Sequence, residues 1–232
     1  MASGGIGRLR KSDGQLASLL ASSALARLVT HFVLHPAAAL HFQALRRATG
    51  LSTRSLQHET ARLEKLGLVR READGRRMRY RTVVGDLRWR TLRNLVREFA
   101  EPAEVLRVAL AGVRGIDAAF IYGSYARKVE LHAGSDVDVL VVGDTLDDEA
   151  TRLALAELTL EVSGLLGREV NVSRYTRDRL AAHYARGGPF IRAVLAGDKE
   201  WLIGSAALLR LPPPVPATRP AARGSPEPVG AV

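Results

Sequence analysis

The 232-residue chain has no cysteine, which excludes disulfide frameworks, thiolate zinc sites and cysteine nucleophiles. Lysine is scarce too. Only 4 of the 34 cationic residues are lysine, so nearly all positive charge is arginine, a bias that fits genome composition as well as function. No run of about 20 apolar residues is free of charge and proline, so a membrane span is not expected. Acidic residues are unevenly spread. Residues 1–100 hold 19 Lys+Arg against 7 Asp+Glu, residues 101–204 hold 12 against 16, and the last 28 hold 3 against 1. The formal charge of +10 therefore belongs to the N-terminal part, and a polyanion is its expected partner.

Arg8, Arg10 and Lys11 precede a mostly uncharged stretch ending in Ala-Leu-Ala, the outline of a signal peptide. Asp13 and three serines break that outline. Leu16, Leu20, Ala24, Leu28 and Phe32 form a helical stripe running past any cleavage point. A cytoplasmic protein is expected. The stripe predicts one helix from Gln15 to His35, stopped by Pro36. His31 and His35 stand one turn apart, the spacing of a helical zinc pair. No acid or cysteine follows nearby to complete the ligands, so they read as ordinary helix residues.

A short helix, His41 to Thr49, is followed by a Gly50-Leu51-Ser52 turn and a longer helix from Thr53, its expected cap, to Leu66. Two alternating runs then flank Asp74-Gly75, a hairpin signal. Helix, helix–turn–helix and hairpin come in the order of a winged helix-turn-helix domain. Phe42 to Val83, with Leu63-Glu-Lys-Leu-Gly-Leu-Val69 and Gly75-Arg-Arg-Met-Arg-Tyr80, resembles winged helix regulators of the ArsR/MarR type. A recognition helix presents its first residues to base edges, which selects Arg54, Ser55, Gln57 and His58, with Arg62 placed for a phosphate. The wing adds Arg70, Arg71, Arg76, Arg77, Arg79 and Arg81. Double-stranded DNA is the expected partner. A homodimer pairing through the Leu16–Phe32 stripe and a Leu87–Phe99 helix would read two half-sites.

Pro102 and the change of charge sign mark a boundary. Beyond it, strands are predicted at Ala118–Tyr122, Val137–Val142 and Glu169–Ser173, with helices at Asp147–Leu166 and Arg177–Arg186. Seven of ten prolines fall between Pro212 and Pro228, so the tail is expected to be disordered. The reading is α+β in four segments: a flexible 1–14, a winged helix unit over 15–100, a small α/β unit with a mixed sheet over 101–204, and a Pro-rich tail over 205–232.

The second unit carries Gly123-Ser124, eleven residues, then Asp136-Val137-Asp138. Residues two apart on a strand share a face, so the two carboxylates project together. Hard oxygen ligands suit Mg²⁺, and Gly123 lets the backbone approach a phosphate while Ser124 offers a hydroxyl. Phe120-Ile-Tyr-Gly-Ser-Tyr-Ala-Arg127 and Gly134-Ser-Asp-Val-Asp-Val-Leu140 closely resemble the polymerase-β-like superfamily, particularly its minimal nucleotidyltransferases. The resemblance implies that Gly123, Ser124 and Arg127 bind the nucleotide, an NTP with ATP first. It implies that Asp136 and Asp138 are catalytic and hold Mg²⁺ or Mn²⁺. The family's third carboxylate falls at Asn171, an amide that can ligate metal but is no base. Glu169 is expected on the same strand face as its substitute, and Lys128 stands where the family often has glycine. Three functions follow: a DNA-binding regulator that transfers a nucleotidyl group, a regulator that only senses nucleotide, or an antitoxin that modifies a toxin partner.

Overall fold

A computed structural model describes residues 14–83, 85–127, 135–209 and 211. Residues 128–134, with Lys128 and Gly134, all but the last residue of the expected flexible stretch 1–14, and most of the expected tail lie outside the described residues.

The expected first helix is two helices, α1 (Gln15–Leu20) and α2 (Ser23–Leu34). Ala21 caps α1 in the left-handed region, at φ 51°, and Ser22 then starts α2 by accepting a hydrogen bond from the Leu25 amide. The stripe is real in its burial: Leu16, Leu28 and Phe32 are at most 1% exposed, inside the chain's own core. That corrects the expectation that it pairs with a second copy.

Next come β1 (Leu40–His41), α3 (Phe42–Thr49), α4 (Thr53–Lys65) and the hairpin β2 (Val69–Asp74), β3 (Arg77–Thr82), in a three-stranded antiparallel sheet of order β1-β3-β2. The cap of α4 is Ser52, not Thr53: its hydroxyl accepts from the Ser55 amide. Asp74 pairs with Arg77 across the hairpin, so Gly75-Arg76 form the loop, with Gly75 at φ 59°. Helix α5 (Leu87–Phe99) packs on α2, and its Trp89 ring nitrogen donates to the Leu68 carbonyl.

Helix α6 (Pro102–Leu110), unforeseen in the sequence, opens with a capping box between Glu101 and Glu104. Then follow β4 (Ala118–Tyr122), the single turn α7 (Gly123–Ala126), β5 (Val137–Val142), α8 (Glu149–Leu166), β6 (Val170–Tyr175), α9 (Arg177–Ala185), α10 (Pro189–Ala196) and β7 (Glu200–Ile203). The mixed sheet has the order β6-β5-β4-β7, parallel only between β5 and β6, where α8 makes the crossover. One sheet face, with Ile121, Val139 and Val141, joins a core that reaches back through α6 to Leu28 and Phe32. The other, with Phe120, Leu140 and Val142, forms a second core under α9 and α10. The two units thus pack on one continuous core across a connection of two residues. The expected tail also begins later, because Ala206–Leu209 form a 3-10 turn that buries Leu209 in the second core.

Candidate functional site

Strand pairing assembles the candidate site at one end of the mixed sheet. Tyr122 of β4 lies opposite Asp138 of β5, and Asp138 lies beside Asn171 of β6. Paired residues project to the same face, so Tyr122, Asp138, Asn171 and, two residues on, Ser173 form one row. The Tyr122 hydroxyl and Ser173 Oγ are 3.4 Å apart. Burial pushes the Tyr122 hydroxyl up from its ordinary pKa; the Ser173 contact opposes this and the Asp138 charge adds to it. Phe190, at the start of α10 and 47% exposed, sets its ring edge-on to Tyr122 at 5.9 Å. Sequence reasoning missed Tyr122, Ser173 and Phe190. Tyr122 and Ser173 read there only as strand residues and Phe190 fell in no predicted element; the sheet register and the packing of α10 bring them together.

Gly123 turns the chain out of β4 at φ 76°. A Cβ at that position would lie 2.8 Å from Asp138 Oδ2. The missing side chain is therefore what lets the Asp138 carboxylate lie against the start of α7, where Ser124 sits half-buried. Asp136 stands exposed one residue before β5, and Arg127 is exposed at the end of α7. Asn171 is exposed beside Asp138. Glu169 does not join this row. It precedes β6, is exposed, and lines a groove with Arg152, Leu160 and Val172 on the α8 side. Among the described residues, no three His, Asp or Glu side chains gather tightly enough to hold a metal ion as they stand. Asp136 and Asp138, two residues apart at the start of β5, each carry hard carboxylate oxygens, the donor type that Mg²⁺ and Mn²⁺ take.

Residues 103–195 match the model of the nucleotidyltransferase domain family. The matched stretch begins in α6 and ends in α10, and it contains every residue of the row described above. Two solved structures are similar to part of the chain. One is a mutant of the toxin–antitoxin MntA-HpeT, at 16% identity over 46% of this chain and 76% of that chain, with a TM-score of 0.33. The other is a toxin–antitoxin with AMP-PNP, at 18% identity over 43% and 70%, with a TM-score of 0.29. No curated protein matches the chain.

A second set of candidates lies outside the matched stretch. Arg54, Gln57, His58 and Arg62 share the exposed face of α4, with Ser55 half-buried at its edge, while Leu56, Glu59 and Leu63 face inward. Arg62 reaches Glu59 at 3.8 Å and His58 reaches it at 3.5 Å. On the hairpin, Arg79 pairs with Asp74 at 2.6 Å, Arg71 with Glu64 at 2.6 Å and Arg81 with Glu72 at 3.4 Å. Arg70, Arg76 and Arg77 make no ion pair among the described residues and are exposed. The six wing arginines are thus not equivalent: half are held by acids of the same unit. No described helix is long and apolar enough to cross a membrane.

Proposed function

We propose that the chain is a DNA-binding regulator whose nucleotidyltransferase domain takes an NTP, ATP first, and transfers its nucleotidyl group to an acceptor hydroxyl. The observation that carries the enzymatic half is the close approach of Asp138 to Gly123, with Asp136 and Ser124 on either side, inside the matched domain. Asp136 and Asp138 would hold Mg²⁺ or Mn²⁺, with the Asn171 amide oxygen within the same row. The cation supplies positive charge against the triphosphate and the leaving pyrophosphate. Gly123 and Ser124 would offer backbone and hydroxyl donors to the phosphates, Arg127 a side-chain cation, and Phe190 an exposed ring beside them.

The DNA-binding half is a winged helix over residues 15–100. It is supported by the order α3, α4, hairpin, the β1-β3-β2 sheet, and a basic α4 face next to three unpaired wing arginines. Two copies would read a two-fold site. With the α1–α2 stripe buried, exposed Leu87 and Phe99 of α5 are the surface left for pairing.

Asn171 favours a second reading, in which the domain binds nucleotide and changes DNA affinity without chemistry, because an amide cannot take the acceptor proton. Incubation with α-labelled ATP, Mg²⁺ or Mn²⁺ and candidate acceptors separates the two. Transfer by the wild type, lost in Asp136→Asn/Asp138→Asn, raised by Asn171→Asp and unaltered by Glu169→Gln, supports the enzyme. No transfer by wild type or Asn171→Asp with any of the four NTPs leaves the sensor.

A further inference from the structure

Between the two units, α2 and α3 face α6 and α8 across a cavity of about 580 Å³. His31 lines it at 3% exposure, and neither of its ring nitrogens has a hydrogen-bond partner. A neutral imidazole always carries one donor and one acceptor, and leaving them unpaired in the interior costs about 1–3 kcal/mol each. His35, one turn later on α2, brings its ring centroid to 5.0 Å from that of His31. From α8, Glu161 places Oε2 3.7 Å from His35 Nδ1, and Glu157, one turn earlier, lines the same cavity. The sequence offered two histidines at ligand spacing with no third ligand near them. The fold brings the acid from residue 161.

We infer that His31, His35 and Glu161 are a binding site for a borderline divalent metal ion, Zn²⁺ above all, which would tie α2 of the N-terminal unit to α8 of the nucleotidyltransferase domain. Imidazole and carboxylate are the ligands such ions take in a cysteine-free chain. Two imidazoles on one Zn²⁺, each about 2.0–2.1 Å from it, put their centroids about 5 Å apart, the spacing found here. As they stand the three side chains do not converge on one point. Glu161, whose side chain is 49% exposed, has room to swing toward the two rings. Glu157 or water completes four-coordination. Arg47 and Arg114 also line the cavity and leave its rim without net charge, so the site selects by ligand chemistry rather than by field.

The test uses full-length, untagged Asp136→Asn/Asp138→Asn protein, so that the carboxylates at the sheet end cannot contribute. Equilibrium dialysis should find one Zn²⁺ per chain at micromolar concentration, and Co²⁺ should give the strong visible absorption of a four-coordinate site. Millimolar Mg²⁺ should not compete. Loss of a direct ligand should exceed the 10–100-fold typical of an outer-shell change, so His35→Gln should weaken Zn²⁺ at least about 100-fold. Glu161→Gln, a half-exposed substitution that leaves the core intact, should weaken it about as much. Zn²⁺ bound with unchanged affinity by both variants, or no Zn²⁺ bound at one per chain, overturns the assignment. Neither outcome depends on whether the nucleotidyltransferase domain is catalytic.

Discussion

Ser22 does two jobs with one hydroxyl. Its Oγ accepts from the Leu25 amide at 3.0 Å, capping α2, and donates to Glu59 Oε1 at 2.7 Å. Glu59 lies on the inner face of α4 at 5% exposure, and its Oε2 has no hydrogen-bond partner. Ser22→Ala removes the cap, worth about 1 kcal/mol, and orphans a buried acceptor, which costs about 1–3 kcal/mol. The nearby His58 ring, 3.5 Å from Oε1, takes up part of that second loss. The expected destabilisation is about 2–4 kcal/mol. Ser22→Gly splits the two terms, since glycine caps within a few tenths of a kcal/mol of serine but still abandons Glu59. It should retain most of the loss. Glu59→Leu on the Ser22→Ala background leaves no acceptor to satisfy and should recover roughly 1–3 kcal/mol. Urea melts followed by circular dichroism measure all four proteins. A Ser22→Ala loss below about 0.5 kcal/mol, or no recovery in the double variant, would show that this contact does not hold α4 in place.

Gly123→Ala should cost about 1–2 kcal/mol for a left-handed alanine and push the Asp138 carboxylate aside; thermal shifts by Mg²⁺–ATP should vanish, and a shift equal to wild type refutes the packed geometry. For the wing, Arg77→Ala should flatten the log–log salt dependence of DNA affinity by about one unit. Arg79→Ala should change it less, because Arg79 must first leave Asp74; equal slopes for the two would mean the ion pair is irrelevant on DNA. In chelator-treated protein His31 titrates near 4 when folded, held down by burial and then His35, against an ordinary 6.5. The unfolded chain therefore binds that proton first. This contribution is whole above pH 6.5 and is lost as pH falls toward 4, by about 3 kcal/mol in all. Melting temperatures of wild type and His31→Gln across pH 4–8 should diverge in that window; parallel curves would contradict the assignment.

Legibility in the sequence followed the range of the interactions. Elements fixed by local pattern were readable: the Leu87–Phe99 helix has the bounds that its period predicts, and Asp74-Gly75 marks the hairpin to within a residue. Helix α1 ends where no period could say, because the break at Ala21 is stabilised by a contact from Ser22 to a residue 37 positions away. Strand β7 was invisible for the same reason. Glu200–Ile203 is short and unpatterned, and it is a strand because β4 has an edge to pair with.

The candidate site divides along the same line. Gly123 and Ser124 directly follow β4, and Asp136 and Asp138 stand at the start of β5, so they fall at the neighbouring ends of two paired strands, Tyr122 lying opposite Asp138. Asn171 was reachable only through a family pattern, since its register beside Asp138 comes from parallel pairing across the α8 crossover. Glu169 failed by strand length. Sharing parity with Asn171 put it on the right face only if the strand extended to it, and β6 begins one residue later. Under the proposed function that boundary matters, because the position beside Asp138 is filled by an amide, which can ligate a metal but cannot act as a base.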